Sequence, residues 1–513
     1  MIPLTRPDHS AYALYALRRY GILAASVKIA TQRDASKLGL VDELGELTFG
    51  ELDQRSDALA NAWRARGLGS ASVIALLCRD HRGLVESMFA AGKIGAKVLL
   101  MNTGFARPQF AAVCEREEVD TLVYDAEFAD ILGDVPSGIP RYLAWVDDDD
   151  QADHETIETL VLTGDRTSVP APSSPGGLVL LTSGTTGTPK GAPRHVSSPF
   201  AAAQFIDRIP LRPGERTFLG APLFHGTGLS QFLLTLSMGS TTIVRRRFDP
   251  RATLGLLAKY RVEELVVVPT MLQRILDLGA DEIAKYDTSA LRILFCAGSA
   301  LPPDVGTRAI ELFGPVVYNL YGSTEVAVAT VATPQDWAAA PGTVGRTPVG
   351  CTVRLYDDNG RRVTQPDVVA RVFVGSGLRF TGYTGGGSKE EIDGLLSSGD
   401  VGHVNLDGLL FIDGRDDDMI VSGGENVFPA EVENLLVEHS GVTDAAVIGV
   451  PDPEFGQRLK AFVVVRDGHD LDADAVRAHV KENLARHKVP RDVEFLDTLP
   501  RNATGKLLRG QLS

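Results

Sequence analysis

From Thr48 onward, short apolar runs alternate with stretches in which apolar residues recur every three or four positions, the pattern of strands laid between amphipathic helices. Thr48-Phe-Gly-Glu51 has the form of a capping box, and Leu52, Leu59 and Trp63 then fall on one helical face. Ser72–Cys78, Lys97–Met101 and Val119–Tyr124 read as strands, with a helix at Gly83–Lys93. A second set of strands follows at Gly177–Leu181, Thr241–Val244, Glu264–Val268, Arg292–Cys296 and Val316–Asn319. Wholly apolar strands separated by helices predict parallel sheets covered on both faces.

Beyond residue 340 the texture shifts to short β-like runs, Thr352–Tyr356 and Arg371–Val374 among them, with glycine turns between, which predicts a small β-barrel-like subdomain. After Gly414–Asp418 the period changes again. Helices are expected at Ala430–Glu438 and Ala473–Ala485, and strands at Ala445–Val450, Ala461–Val465 and Val493–Leu496. The expected architecture is α/β. A large N-terminal domain (1–413) holds two parallel-sheet subdomains and the β subdomain, a hinge covers 414–417, and a small mobile α+β lid domain spans 418–513.

Ahead of these elements, Ala11–Ala30 is apolar and tyrosine-rich but interrupted by Arg18 and Arg19. It predicts a docked terminal helix with Leu14, Leu17 and Ile22 on the inward face, a peripheral membrane-surface helix being the alternative. No run approaches the roughly eighteen apolar residues of a spanning helix.

Composition narrows the function classes. The 513 residues are 44% hydrophobic and 23% charged, as in folded proteins, and the net charge of −15 argues against nucleic acid as the main partner. Cys78, Cys114, Cys296 and Cys351 are far apart and show no CxxC spacing, which points to buried thiols in a reducing, cytoplasmic setting. Asp147–Asp150 reads as a solvated loop.

The candidate chemistry begins at Leu180–Gly191, LLTSGTTGTPKG. Its hydroxyls and glycines cannot build a core, whereas their O–H and backbone N–H donors, with the Lys190 charge, suit a polyphosphate. The spacing is not that of a Walker loop, because Pro189 precedes the lysine and Gly191 follows it. A plain solvent loop is the competing reading of this stretch taken alone.

Four further motifs stand in order behind it: Asn319-Leu-Tyr-Gly-Ser-Thr-Glu325, Ser398-Gly-Asp400, Gly414-Arg415 and Asn502-Ala-Thr-Gly-Lys506. Together the five resemble the core motifs of the adenylate-forming superfamily of acyl-CoA synthetases, peptide-synthetase adenylation domains and firefly luciferase, over essentially the whole chain from Thr48.

The resemblance implies an AMP-forming acid–thiol ligase that uses ATP, Mg²⁺ and CoA. It assigns Thr182, Ser183, Gly184, Thr185, Thr186, Gly187 and Lys190 to the ATP phosphates. Gly298, Ser299, Ala300, Asn319, Tyr321, Gly322, Ser323 and Thr324 surround adenine and the α-phosphate. Thr182 and Glu325 hold Mg²⁺, Asp400 and Arg415 hold the ribose, and Lys506 reaches the carboxylate and α-phosphate. Asp417 matches the hinge, and Ser422, Gly423, Gly424 and Glu425 match the segment lining the pantetheine channel.

His225, in Pro222-Leu-Phe-His-Gly, stands where amino-acid-activating relatives carry aspartate, which disfavours an amino-acid substrate. With Thr227, Gly228 and Leu229 it marks the acyl pocket. A packed core histidine is the plain alternative. The apolar stretch Thr227–Met238 is expected to line a pocket or tunnel, so an aliphatic, fatty carboxylic acid is expected. An acyl-AMP ligase serving a carrier protein and an inactive nucleotide-binding relative are the alternatives. The sequence departs from the family pattern at Val369-Ala370 and at Leu100-Met-Asn-Thr-Gly-Phe105.

Overall fold

The computed structural model describes residues 7–147, 154–182, 190–193, 203–357, 359–377, 382, 388–415, 419–427, 429–500 and 509–512. Two largely parallel sheets carry the architecture. In the first, the strands run in the order Arg141–Trp145, Thr121–Asp125, Val73–Leu77, Lys97–Leu100, Leu178–Thr182 and Lys190–Pro193. Only the last pairing is antiparallel, so the two ends of the polyphosphate-like loop leave the same sheet edge as a hairpin, with Thr182 opposite Lys190.

In the second sheet, Ile293–Cys296, Glu264–Val267, Arg216–Leu219 and Thr241–Val244 form the parallel centre. Val317–Ser323 extends it in parallel and closes one end as a hairpin with Ala327–Ala332; Leu38–Asp42 and Gly45–Thr48 close the other. The strands expected in this sheet are present, but Gly177–Leu181 belongs to the first sheet, and Arg216–Leu219, Ala327–Ala332 and the Leu38–Thr48 hairpin were not foreseen. Arg216–Leu219 is four residues long and too short to stand out as an apolar run. The Leu38–Thr48 hairpin is interrupted by Glu43 and Glu46, which mask its β character.

The sheets share a core because helices from each pack face to face. Phe89 of the helix Arg82–Ile94 stacks on Phe232 of the helix Gly226–Ser237, with centroids 6.0 Å apart and rings 11° from parallel. Both rings are fully buried. The capping box at Thr48 and Glu51 is formed, and Leu52, Leu59 and Trp63 lie in the same core.

The N-terminal helix Pro7–Arg33 docks as expected, with Leu17 and Ile22 packed against buried clusters, but Leu14 is turned outward. Its backbone turns at Gly21 (φ 71°, ψ 174°), so residues on either side do not share one stripe. Ala13 and Ala16 point inward, whereas Leu14 and Tyr15 are 48% and 54% exposed. No helix among the described residues is long and apolar enough to cross a membrane.

The β subdomain is an antiparallel sheet of Cys351–Tyr356, Ala370–Ser376, Leu395–Val404 and Leu410–Arg415, with short strands at Arg362–Val363 and Glu391–Ile392. The C-terminal unit has its own core. Strands Ile420–Ser422, Glu425–Val427, Val442–Asp452, Gly456–Val465 and Asp492–Phe495 carry the helices Pro429–Glu438 and Ala473–Asn483. Three of the four cysteines are buried and Cys351 is half-buried, all as free thiols.

Candidate active site

The C-terminal ends of parallel strands are where α/β sheets open ligand crevices. Here the turns after Arg216–Leu219, Glu264–Val267 and Ile293–Cys296, and the end of Val317–Ser323, converge on one cavity of about 1190 Å³. Asp400 enters from the β subdomain, and Gly423, Gly424, Glu425 and His487 enter from the C-terminal unit.

Most sequence-predicted residues meet there: Gly298, Ser299, Ala300, Asn319, Tyr321, Gly322, Ser323, Thr324, Glu325, His225 and Thr227 all line the cavity. Tyr321 Oη donates to Asp400 Oδ2 at 2.5 Å, which ties the strand end to the β subdomain. Asp400 stands opposite Arg415 in the strand register. Ser323 Oγ donates to Glu325 Oε2 at 2.9 Å and orients that carboxylate. Gly322 is required by geometry, since a Cβ there would come within 1.8 Å of the Ala327 carbonyl oxygen across the hairpin.

Ser183, Gly184, Thr185, Thr186, Gly187, Asp417 and Lys506 lie outside the described residues, as do the side chains of Thr182, Lys190 and Arg415. Ser422 is not part of the cavity wall; it pairs with Glu425 in the hairpin that presents Gly423 and Gly424, both at positive φ.

The helix Gly226–Ser237 corrects the acyl-pocket expectation. Thr227 and Ser230 face the cavity, whereas Leu229, Phe232 and Leu236 are turned into the core, and neither Gly228 nor Leu229 lines the wall. Successive apolar residues on a helix cannot all face one side, and this helix gives its apolar side to the seam between the sheets. The stretch therefore forms no tunnel. The lining from residue 205 to 302 contains, among the described residues, a single ionisable side chain, His225.

His225 is not a core histidine. Its Nε2 lies 2.9 Å from Glu425 Oε1, and Asn102 Nδ2 donates to the same oxygen at 3.2 Å. Burial opposes the charged imidazole, but the Glu425 carboxylate outweighs it and raises the His225 pKa. Burial likewise opposes the Glu425 carboxylate; His225 and the other polar neighbours win, holding it well below the usual carboxylate range. Behind the Pro222–His225 turn, buried Asp80 accepts the Leu223 N–H at 3.0 Å, and burial pushes its pKa up to about 7.

A second tie between the units runs from Gln109 Nε2 to Glu431 Oε1 at 3.2 Å, and within the C-terminal unit Lys488 Nζ holds both oxygens of that carboxylate at 2.6 Å. Sequence reasoning missed Asn102, Gln109 and Lys488 as site neighbours, while Glu431 ends the Ser422–Glu431 stretch matched to the pantetheine channel. A signal existed for one of them: Asn102 sits in the stretch 100–105 that departs from the family pattern.

Sequence comparison decides the family. The model of the AMP-binding enzyme family matches residues 27–384, and that of the AMP-binding enzyme C-terminal domain matches residues 431–506. The chain belongs to the AMP-binding enzyme family. This AMP-binding enzyme is 34% identical over 473 residues to a feruloyl-CoA synthase of an Amycolatopsis species, covering 91% of this chain and 93% of the relative. It is 31% identical over 490 residues to an indoleacetate–CoA ligase of Aromatoleum aromaticum, covering 90% and 92%.

Among solved structures it resembles the o-succinylbenzoate CoA synthetase of Bacillus subtilis at 25% identity. Against a double mutant of that enzyme bound with a product analogue the TM-score is 0.82, covering 95% of this chain and 98% of the other. Against the same enzyme with its acyl-adenylate intermediate it is 0.67, covering 95% and 97%. AMP-forming CoA ligase chemistry is thus the activity the family and its relatives support for this enzyme.

Proposed function

We propose that this AMP-binding enzyme activates a monocarboxylic acid with an uncharged, compact, ring-sized tail, first as its acyl-adenylate and then as its CoA thioester. The observation that carries the acid class is the cavity wall between residues 205 and 302. Phe224, Val268, Met271 and Phe295 supply apolar surface, Thr227 and Ser230 supply hydroxyls, and no lysine or arginine stands among the described lining residues there to hold a second anion. Burying a tail carboxylate or sulfonate without a partner would be costly. The ring-bearing acids in the names of the feruloyl and indoleacetate relatives support the same reading. A medium-chain fatty acid is the second reading, favoured by the apolar character of that wall.

In the first half-reaction the Thr182–Lys190 loop steadies the departing pyrophosphate, Tyr321 packs against adenine, and Asp400 with Arg415 positions the ribose. Thr324 donates to the α-phosphate. Lys506 places its charge where negative charge accumulates as the acid attacks, the most effective position for electrostatic stabilisation. Glu325 with Thr182 offers hard oxygen ligands suited to Mg²⁺, which neutralises phosphate charge when bound.

In the second half-reaction Gly423 and Gly424 admit the pantetheine arm. The arrangement described here, with Glu425 on His225 and greater likeness to the product-analogue complex, supports its assignment to that second stage. A panel of aromatic, arylalkyl, aliphatic and dicarboxylic acids, assayed for pyrophosphate release, tests the substrate class. Turnover of ring-bearing monocarboxylates is expected; preference for a dicarboxylate would contradict it.

A further inference from the structure

Two imidazoles of the cavity wall interact with Glu425, and they are not equivalent. His225 is committed, its Nε2 bonded to the carboxylate. His487 lies on the turn Arg486–Lys488, which docks on the departing 100–105 stretch through a hydrogen bond from Arg486 N–H to the Gly104 carbonyl at 3.3 Å. A Cβ on Gly104 would stand 3.8 Å from His487 Nδ1, so the ring sits directly against this turn. The ring lines the same cavity as His225, Gly298 and Glu325, and its Nε2 is buried with no hydrogen-bond partner. A buried polar atom left without a partner calls for an explanation, and a ligand group that completes it is one.

The charged groups around this ring are Glu425 and His225 across the cavity and Lys488 on its own turn, the last engaged by Glu431. Burial pushes the His487 pKa down to about 4; Glu425 offsets this in part, and Lys488 and His225 add to it. The imidazole is therefore neutral at physiological pH, a weak base whose free nitrogen can accept the S–H proton as S–C bond formation makes that proton acidic. A free thiol with a pKa of about 8.5 supplies little thiolate at neutral pH, so a thiol attacking an acyl-adenylate benefits from a nearby proton acceptor.

Resting on the CoA-ligase reading above, we propose that His487 is the general base of the thioester-forming half-reaction, taking the thiol proton on Nε2. The S–H proton passes to Nε2 as the sulfur forms a bond to the acyl carbonyl carbon. The bond from that carbon to the α-phosphate oxygen breaks, AMP leaves with its electron pair, and the imidazolium returns its proton to solvent.

His487→Gln and His487→Phe test this with the acyl-adenylate of the best panel acid and CoA. Acid-dependent ATP–pyrophosphate exchange in the same preparations reports folding and adenylation. The expected result is unchanged exchange with thioester formation reduced about 10²-fold or more at neutral pH, the deficit closing as pH rises toward the thiol pKa. Wild-type thioester rates, a deficit equal at every pH, or parallel loss of both half-reactions would each overturn the assignment. A wild-type enzyme that exchanges pyrophosphate but never forms a thioester would instead refute the CoA-ligase reading on which it rests.

Discussion

At the level of single residues, the His225–Glu425 pair is the contact most sensitive to conditions. The His225 pKa is raised, so its contribution to joining the two units is complete below the ordinary histidine value of 6.5 and is lost as pH rises through the raised value. The Glu425 pKa is lowered, so its contribution is present above the ordinary carboxylate value of 4.5 and is lost as pH falls through the lowered one. The contact is therefore strongest from mildly acidic to near-neutral pH. In Glu425→Gln the His225 titration, followed by NMR of its ring protons, is expected to move down; an unchanged midpoint would remove Glu425 as its cause.

Glu325→Ala is expected to raise the Mg²⁺ concentration needed for half-maximal adenylation. Unchanged metal dependence would take Glu325 out of the metal site. What was legible at this scale was local. Tyr321–Glu325 and Ser398–Asp400 announce themselves as contiguous polar motifs after a strand, and the structure brings them onto one cavity. Asn102, Gln109 and His487 do not, because each acquires its place only by meeting a residue hundreds of positions away in sequence.

At the level of elements, the helix Gly226–Ser237 holds the site by being rooted in the core. Phe232 is fully buried in the stack with Phe89 that joins the two sheets. Phe232→Ala is expected to cost about 3–5 kcal/mol of stability, read as a lowered denaturation midpoint. A cost under about 1 kcal/mol would mean the seam does not depend on this ring. The amphipathic pattern announced the helix but not the assignment of its faces. From sequence alone, a stretch as apolar as Thr227–Met238 reads equally as a tunnel wall and as a core face, and packing against Arg82–Ile94 decides for the core. The N-terminal helix has the same lesson, since Ala13 and Ala16 are buried there while Leu14 between them is exposed.

At the level of the whole molecule, one cavity is built from three units, and its C-terminal wall is held by polar ties: His225 and Asn102 to Glu425, Gln109 to Glu431, and Arg486 N–H to the Gly104 carbonyl. Polar ties between separately cored units suit an interface that must form and break, because buried apolar surface would weld it. Lys506→Ala separates the two stages: adenylation is expected to fall at least about 10²-fold while thioester formation from supplied acyl-adenylate persists. Equal loss of both would contradict a lysine that serves the first stage alone. The layered α/β plan was readable from periodicity, since apolar runs and helical spacing are local properties. The orientation of the C-terminal unit was not, because it rests on contacts between polar side chains that carry no periodic signature.

The most direct test supplies the purified enzyme with ATP, Mg²⁺, CoA and one ring-bearing monocarboxylic acid, and measures nucleotide, pyrophosphate and thioester products together by mass. The expected result is one AMP and one pyrophosphate for each acyl-CoA formed, with no thioester when either ATP or CoA is withheld. Formation of ADP, or of acyl-adenylate that accumulates in the presence of CoA, would contradict it.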